Sequence, residues 1–315
     1  MSTYTTGFDE PACRDSRQYG GKAAGLADLA AAGLPVAPGF AVGVEAFRAF
    51  RAGTGSVPQS VAAEIRARYQ RLCVDTGIAD VSVAVRSSAT AEDSAAASFA
   101  GGFETWVDIS GSEDVLEYVR RCWESVAADR VVDYARAKGV RPVDVEMAVV
   151  VQKTVRARAA GVMFTVSPVT GDRSRIVIEA SWGLGLAVVG GEVTPDRWVV
   201  DKVGLTVAEC TPGDKRIEYV YGDRAVDVHP VRWAQPCLAD AQVLALAKLG
   251  KEIERRQGGP QDIEFAVDGE DLVLLQCRPE TVWSGRSHAP KFDASHGVTS
   301  WISDALTGGN DHVDD

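Results

Sequence analysis

The stretch "DIEFAVDGEDLVLLQCRPETV", residues 262–282, constrains the chain most, because acids, an amide and an arginine interrupt two otherwise apolar strands at intervals of two. Residues two apart on a strand share a face, so Asp262 and Glu264 point together, as do Gln276 and Arg278. With a three-residue loop of Asp268, Gly269 and Glu270, Asp262 lies opposite Gln276 and all four polar groups occupy one side. Ile263, Phe265, Val267, Val273, Leu275 and Cys277 then form the other side, toward a core. A two-residue turn would split both sets. Carboxylate and amide oxygens suit Mg²⁺, which keeps several waters and is completed by substrate phosphates. An arginine beside them supplies planar, bidentate bonds to phosphate oxygens. The hairpin is therefore expected to floor a site for a metal nucleotide; an exposed hairpin with a surface ion pair is the plain alternative.

Phosphate, if held, must be gripped locally. The net charge of −11 over 315 residues argues against general binding to nucleic acid or an anionic membrane. The length suits two lobes better than one core. Six scattered cysteines without a CxxC pair, and no basic-then-apolar leader, point to a reducing cytoplasm. No apolar run approaches the roughly 20 residues that cross a bilayer, and the four histidines have no metal-site spacing.

Three further stretches could handle phosphate. "YGGKAAGL" predicts a glycine turn opening an alanine-rich helix, with Lys22 near the helix N-terminus, where anions are favoured. It is not a Walker A loop, since Ser16 and Ala23 stand where glycine and Ser/Thr are needed. "VSVAVRSSA" (81–89) is a strand running into Arg86 and a Ser/Thr loop; a local ion pair of Arg86 with Glu92 or Asp93 is the alternative. "SFAGGFET" offers Gly101 and Gly102 for close backbone approach, in a segment small enough to act as a lid. "GLGLAVVGG" invites a dinucleotide reading that fails at its third glycine, where Val188 stands. His288, in "RSHAP", is a lone histidine in a polar stretch.

Helices are predicted over 43–77, broken at "AGTGSVP", over 113–138 and over 239–257. Strands are predicted over 145–155, 159–168 and 174–185, with short antiparallel runs from 192 to 229. Phe47, Phe50, Ile65 and Tyr69 are inward candidates. The expected division is a first lobe over 1–190, a second over 191–283, and a polar tail over 284–315.

In order, "GGKAAGL", "VAVRSSATAED", "SFAGGFET", "VQKTV", "GVMFTVSPVTG", "EASWGLG", "TPD" and "DIEF…LLQCRPETV" resemble the nucleotide-binding part of phosphoenolpyruvate synthase and pyruvate phosphate dikinase, with rifampin phosphotransferase and phenylphosphate synthases in the same group. The resemblance covers roughly residues 15–283. It implies an α+β ATP-grasp fold, two lobes clamping ATP. By motif position it implies Lys22, Arg86 and Arg278 on the phosphates, Glu264 and Gln276 on Mg²⁺, and Asp262 in support. It places the Ser98–Gly102 loop over the triphosphate, with Gln152 and Lys153 near the adenine. Leu186 departs from the family, which usually carries there an acid that reaches the ribose hydroxyls; Glu179 or Glu192 could take its place.

The resemblance further implies phosphoryl transfer from ATP to a histidine on a separate domain, which carries it to an acceptor. Neither domain fits in 315 residues, so a histidine-carrying partner subunit is expected, with a small-molecule acceptor bound elsewhere. The favoured whole enzyme is an aryl phosphate synthase. A phosphoenolpyruvate synthase-like or antibiotic phosphotransferase component, a piece of a longer chain, and a nucleotide sensor without turnover are the alternatives.

Overall fold

A computed structural model of the chain describes residues 4–53, 55–89, 93–94, 97–98, 105–127, 141, 145–222 and 224–283. The predicted tail over 284–315 and the end of the helix predicted over 113–138 lie outside them.

Two antiparallel sheets face each other. The first has the order β1 (Thr5–Gly7), β2 (Gly39–Val42), β7 (Met147–Lys153), β3 (Val83–Ala89), β6 (Thr105–Ile109). A two-stranded ladder, β4 (Asp93–Ser94) with β5 (Ala97–Ser98), stands apart from it. Alternation along β3 and β7 sends Val83, Val85, Met147, Val149 and Val151 to one face. There they pack on α2 (Val44–Ala52), α3 (Gln59–Thr76) and α4 (Ser112–Glu124), around Phe47, Phe50, Ile65, Tyr69 and Trp123. The inward candidates of the sequence are thus core residues. The opposite face carries Ala84, Arg86, Val150 and Gln152, with Ala84 opposite Gln152 and Arg86 opposite Val150.

The second sheet runs β11 (Thr206–Thr211), β10 (Asp196–Asp201), β9 (Arg175–Trp182), β8 (Ala159–Phe164), β14 (Gln261–Asp268), β15 (Asp271–Pro279). Short α5 (Leu186–Val189) follows β9, and a small hairpin, β12 (Ile217–Val220) with β13 (Arg224–Asp227), flanks the sheet. Helix α6 (Asp240–Gln257) covers one face, burying Val243, Leu246 and Ile253 against Ile176, Ile178, Trp198, Ile263 and Phe265. The chain changes sheets between Lys153 and Ala159, so the lobe boundary expected at 190 moves forward. Strands β8 and β9 belong to the second lobe because Ala159, Met163, Ile176 and Ile178 bury themselves under α6. Short apolar strands do not declare their partners, and the order of motifs along the chain hides the switch.

The hairpin departs from its predicted register. Asp268 pairs with Asp271, so the turn is the two residues Gly269 and Glu270, with Gly269 at φ +59°. That turn should have split the polar set. A β-bulge prevents this: Phe265 pairs with Leu274 and Glu264 with Gln276, leaving Leu275 extra on β15 and shifting parity by one. Beyond the bulge Glu264 faces Gln276 and Asp262 faces Arg278, all four on one side. Before it, Leu272 and Leu274 turn to the α6 core. Val273 and Leu275, predicted for that core, lie instead with Ala266 on the cleft side.

Helix α1 (Ser16–Ala31) wedges between the sheets. It is interrupted at Gly20, with φ +78° and ψ 163°, so the continuous helix begins beside Lys22, as the glycine turn predicts. A Cβ on Gly20 would stand 2.3 Å from the Ser88 carbonyl, and one on Gly25 would stand 2.7 Å from the Cys277 carbonyl. The two glycines let one helix touch β3 and β15 at once. Backbone bonds from Leu274 N to Pro35 O (2.7 Å) and from Ala37 N to Leu274 O (3.3 Å) add a second tie between lobes. Gly20→Ala should cost about 3 kcal/mol or more by urea denaturation, combining a left-handed backbone with a steric clash. Gly53→Ala should stay within about 0.5 kcal/mol of wild type, since its φ is −87° and the nearest atom to its added Cβ is 3.5 Å away.

Candidate functional site

The cleft between the sheets is floored by cross-strand rows. One row reads Gln276, Glu264, Val162, Glu179, Arg197, and the next begins Arg278, Asp262, Phe164, Val177. The first lobe answers with Arg86, whose side chain crosses the cleft. Its Nη2 lies 2.5 Å from Glu264 Oε2, and its Nη1 donates to the Leu275 carbonyl at 3.0 Å. The carbonyl is within reach at the bulged residue itself. Beside this pair, Arg278 Nε donates to Asp262 Oδ2 at 2.8 Å, with Nη2 at 2.7 Å from the same oxygen. Burial pushes the Asp262 carboxyl above the usual carboxylate range; Arg278 opposes the shift, and Glu264 and Glu280 add to it.

A cavity opens from Arg86 and Glu264 along the cleft to Gln152 and Lys153, walled by Leu186 and Leu275. Counted out to open solvent, its empty space is about 820 Å³. The two ends differ chemically. Arg86 and Glu264 supply charge at one, Gln152, Lys153 and Thr154 supply polar groups at the other, and alanine, valine and leucine line the stretch between.

A divalent cation fits the floor. Gln276 is 5% exposed, and its Oε1 is buried with no hydrogen-bond partner among the described residues; an unpaired acceptor beside a carboxylate is the donor set a hard cation uses. No group of three or more His, Cys, Asp or Glu is placed to hold a metal among the described residues. A cation at Glu264 and Gln276 would therefore take most of its oxygens from water and phosphate.

The sequence candidates divide in three. Arg86, Asp262, Glu264, Gln276 and Arg278 form one cluster, and Gln152 and Lys153 line the same cavity. Gln152, 2% exposed, donates through Nε2 to the Ala37 carbonyl at 3.2 Å. Lys22 lies on α1 between the glycine that meets β3 and the one that meets β15, near the strands bearing Arg86 and Arg278. Glu179 shares the floor two strands from Glu264, facing Arg197 at 3.7 Å, and does not line the cavity. Glu192 accepts from the Tyr219 hydroxyl at 3.1 Å, so neither acid stands where Leu186 does. Ser98 ends β5, while Gly101, Gly102 and His288 lie outside the described residues.

Thr154, Val155 and Ala157, in the connector between sheets, also line the cavity, and nothing in their spacing signals it. Asp196, the acid of "TPD", is fully buried. It pairs with buried Lys215 and accepts from Gly213 N at 2.8 Å and Cys237 N at 2.7 Å, a pin for the second lobe's loops.

The raised Asp262 proton affinity carries a sign. The folded state holds this proton more tightly than the unfolded chain, so the stability it contributes is present at low pH and lost as pH rises through the folded value. The stability of Asp262→Asn relative to wild type should therefore increase between about pH 4 and about pH 7 in urea denaturation. A difference that is flat or falling would contradict the shift.

Residues 53–296 match the family described as pyruvate phosphate dikinase, AMP/ATP-binding domain. A probable phosphoenolpyruvate synthase of Methanothermobacter thermautotrophicus is 42% identical over 318 residues, covering 89% of this chain and 46% of that protein. One from Staphylothermus marinus is 37% identical, covering 90% and 42%. The phosphoenolpyruvate synthase of Pyrococcus furiosus is 34% identical, covering 87% and 43%. The chain thus spans less than half the length of these relatives. The chain belongs to the pyruvate phosphate dikinase AMP/ATP-binding domain family, and its two facing α+β lobes with a lobe-crossing arginine are the arrangement expected of an ATP-grasp fold.

Proposed function

We propose that the cleft binds ATP with Mg²⁺ and starts a dikinase-type phosphoryl transfer, cleaving ATP to AMP, with one phosphoryl group passing to a histidine on a partner and the other to water, leaving as inorganic phosphate. The observation that carries this is Arg86 of one sheet meeting Glu264 of the other, with Gln276, Asp262 and Arg278 on the same floor. Arg86 and Arg278 grip the phosphates from opposite lobes, and Lys22 approaches from α1. Asp262 holds the Arg278 guanidinium in place. Glu264 and Gln276 hold the cation, which when bound neutralises charge on the phosphoryl oxygens. Gln152 and Lys153 serve the adenine end, and the Ser98–Gly102 segment is assigned to the triphosphate. Phosphoryl transfer asks mainly for positioning and charge neutralisation, and these residues supply both.

The final acceptor follows the relatives. They are named phosphoenolpyruvate synthases, which favours an acceptor of that kind over the phenol of an aryl phosphate synthase. No helix among the described residues is long and apolar enough to cross a membrane, and a cytoplasmic setting suits the six cysteines, none of which is in a disulfide.

Incubation with ATP should yield AMP and a phosphohistidine on the partner when the product of an adjacent reading frame is present, and no phosphohistidine when it is left out. Tight ATP binding without turnover in either mixture would favour a nucleotide sensor instead. Arg278→Ala should lower transfer by about 100-fold or more while changing nucleotide affinity by less than about 10-fold, read as separate kinetic and binding measurements. The apolar wall at Leu186 gives ribose hydroxyls no acid. ATP and dATP should therefore bind within about 3-fold of each other, and Leu186→Glu should widen the gap in favour of ATP.

A further inference from the structure

The contact between Arg86 and Glu264 is well made at one end and defective at the other. Two of the guanidinium nitrogens are satisfied, by Glu264 Oε2 at 2.5 Å and the Leu275 carbonyl at 3.0 Å. The third, Arg86 Nε, is buried without an acceptor, and Gln276 Oε1 is buried without a donor, among the described residues. Gln276 stands directly across the ladder from Glu264, so the orphan oxygen and the occupied carboxylate are neighbours. The side chains of Arg86 and Glu264 are only 12% and 22% exposed, so water screens their charges weakly.

A cation taking oxygens from both Glu264 and Gln276 needs the carboxylate that Arg86 holds. Two positive groups on one half-buried carboxylate repel strongly. Arg278 does not raise this conflict, because its carboxylate partner is Asp262. Phosphate oxygens offer Arg86 a better, bidentate acceptor, able to reach Nε as well.

We propose that Arg86 and the divalent cation compete for Glu264, so that nucleotide phosphates open the metal site by drawing Arg86 away. Arg86 is in this respect a positioning residue, which keeps the cation out until the nucleotide is in place. By linkage the coupling is reciprocal: metal bound at Glu264 frees Arg86 for phosphate. The proposal rests on the assignment of Glu264 and Gln276 to the metal in the proposed function.

Mn²⁺ alone, with free ion counted by electron paramagnetic resonance, reads the competition without any turnover. Arg86→Gln should bind Mn²⁺ about 10-fold more tightly than wild type, and Arg86→Gln with Glu264→Gln should lose that gain. Arg86→Lys keeps the charge but not the two-pronged grip, and should gain about 3-fold; it serves if the glutamine variant does not fold. Equal or weaker Mn²⁺ binding by the folded single variant would overturn the competition. A wild-type chain that holds no Mn²⁺ even with a non-hydrolysable ATP analogue would instead sink the metal assignment itself.

Discussion

One inserted residue governs the chemistry of this cleft. Leu275 is the extra residue of a β-bulge, and without it a two-residue hairpin turn would send Glu264 and Gln276 to opposite faces of the sheet. The bulge lets the strands close with a tight turn, keep Ile263, Phe265 and Leu274 in the core, and still present Asp262, Glu264, Gln276 and Arg278 together. It also offers the Leu275 carbonyl to Arg86. Bulges occur where a sheet must re-aim side chains, and here the re-aimed ones are Gln276 and Arg278, brought to the face of Asp262 and Glu264.

The lobes hold their relative placement through small residues and paired charges. Gly20 and Gly25 allow α1 to lie against β3 and β15, and the Pro35–Ala37 segment bonds to the edge of the second sheet. Within that frame two ion pairs sit side by side, one within the floor and one across the cleft. Taking half-buried charges out of water has a cost that pairing only partly returns, and the orphaned Arg86 Nε and Gln276 Oε1 add to it. A metal nucleotide, as proposed for this cleft, would offset the cost, its phosphates giving Arg86 Nε an acceptor and its cation giving Gln276 Oε1 a positive partner.

Much of this was legible in the sequence. Period-two alternation identified the floor, the glycine turn identified the start of the Lys22 helix, and apolar spacing identified the core residues of α2 and α3. The polar face of the hairpin came out correctly through a register that is wrong: a three-residue loop and a two-residue turn plus bulge give the same parity near Glu264, and a sequence pattern reports only parity. The lobe boundary was missed because strand pairing is a long-range property that no local pattern encodes. The cavity wall at Thr154, Val155 and Ala157 was missed because those side chains are ordinary and their importance comes only from where the chain changes sheets. The acid of "TPD" was quoted as a motif, and burial shows it to be a structural pin on Lys215.

In the function proposed, two lobes converge their cations and oxygens on one triphosphate. A crystal structure with Mg²⁺ and a β,γ-imido analogue of ATP tests it most directly. The triphosphate should touch Arg86 of the first sheet and Arg278 of the second at once, with Mg²⁺ on Glu264 and Gln276. A nucleotide held by one lobe alone, or a metal bound away from Glu264, would contradict it.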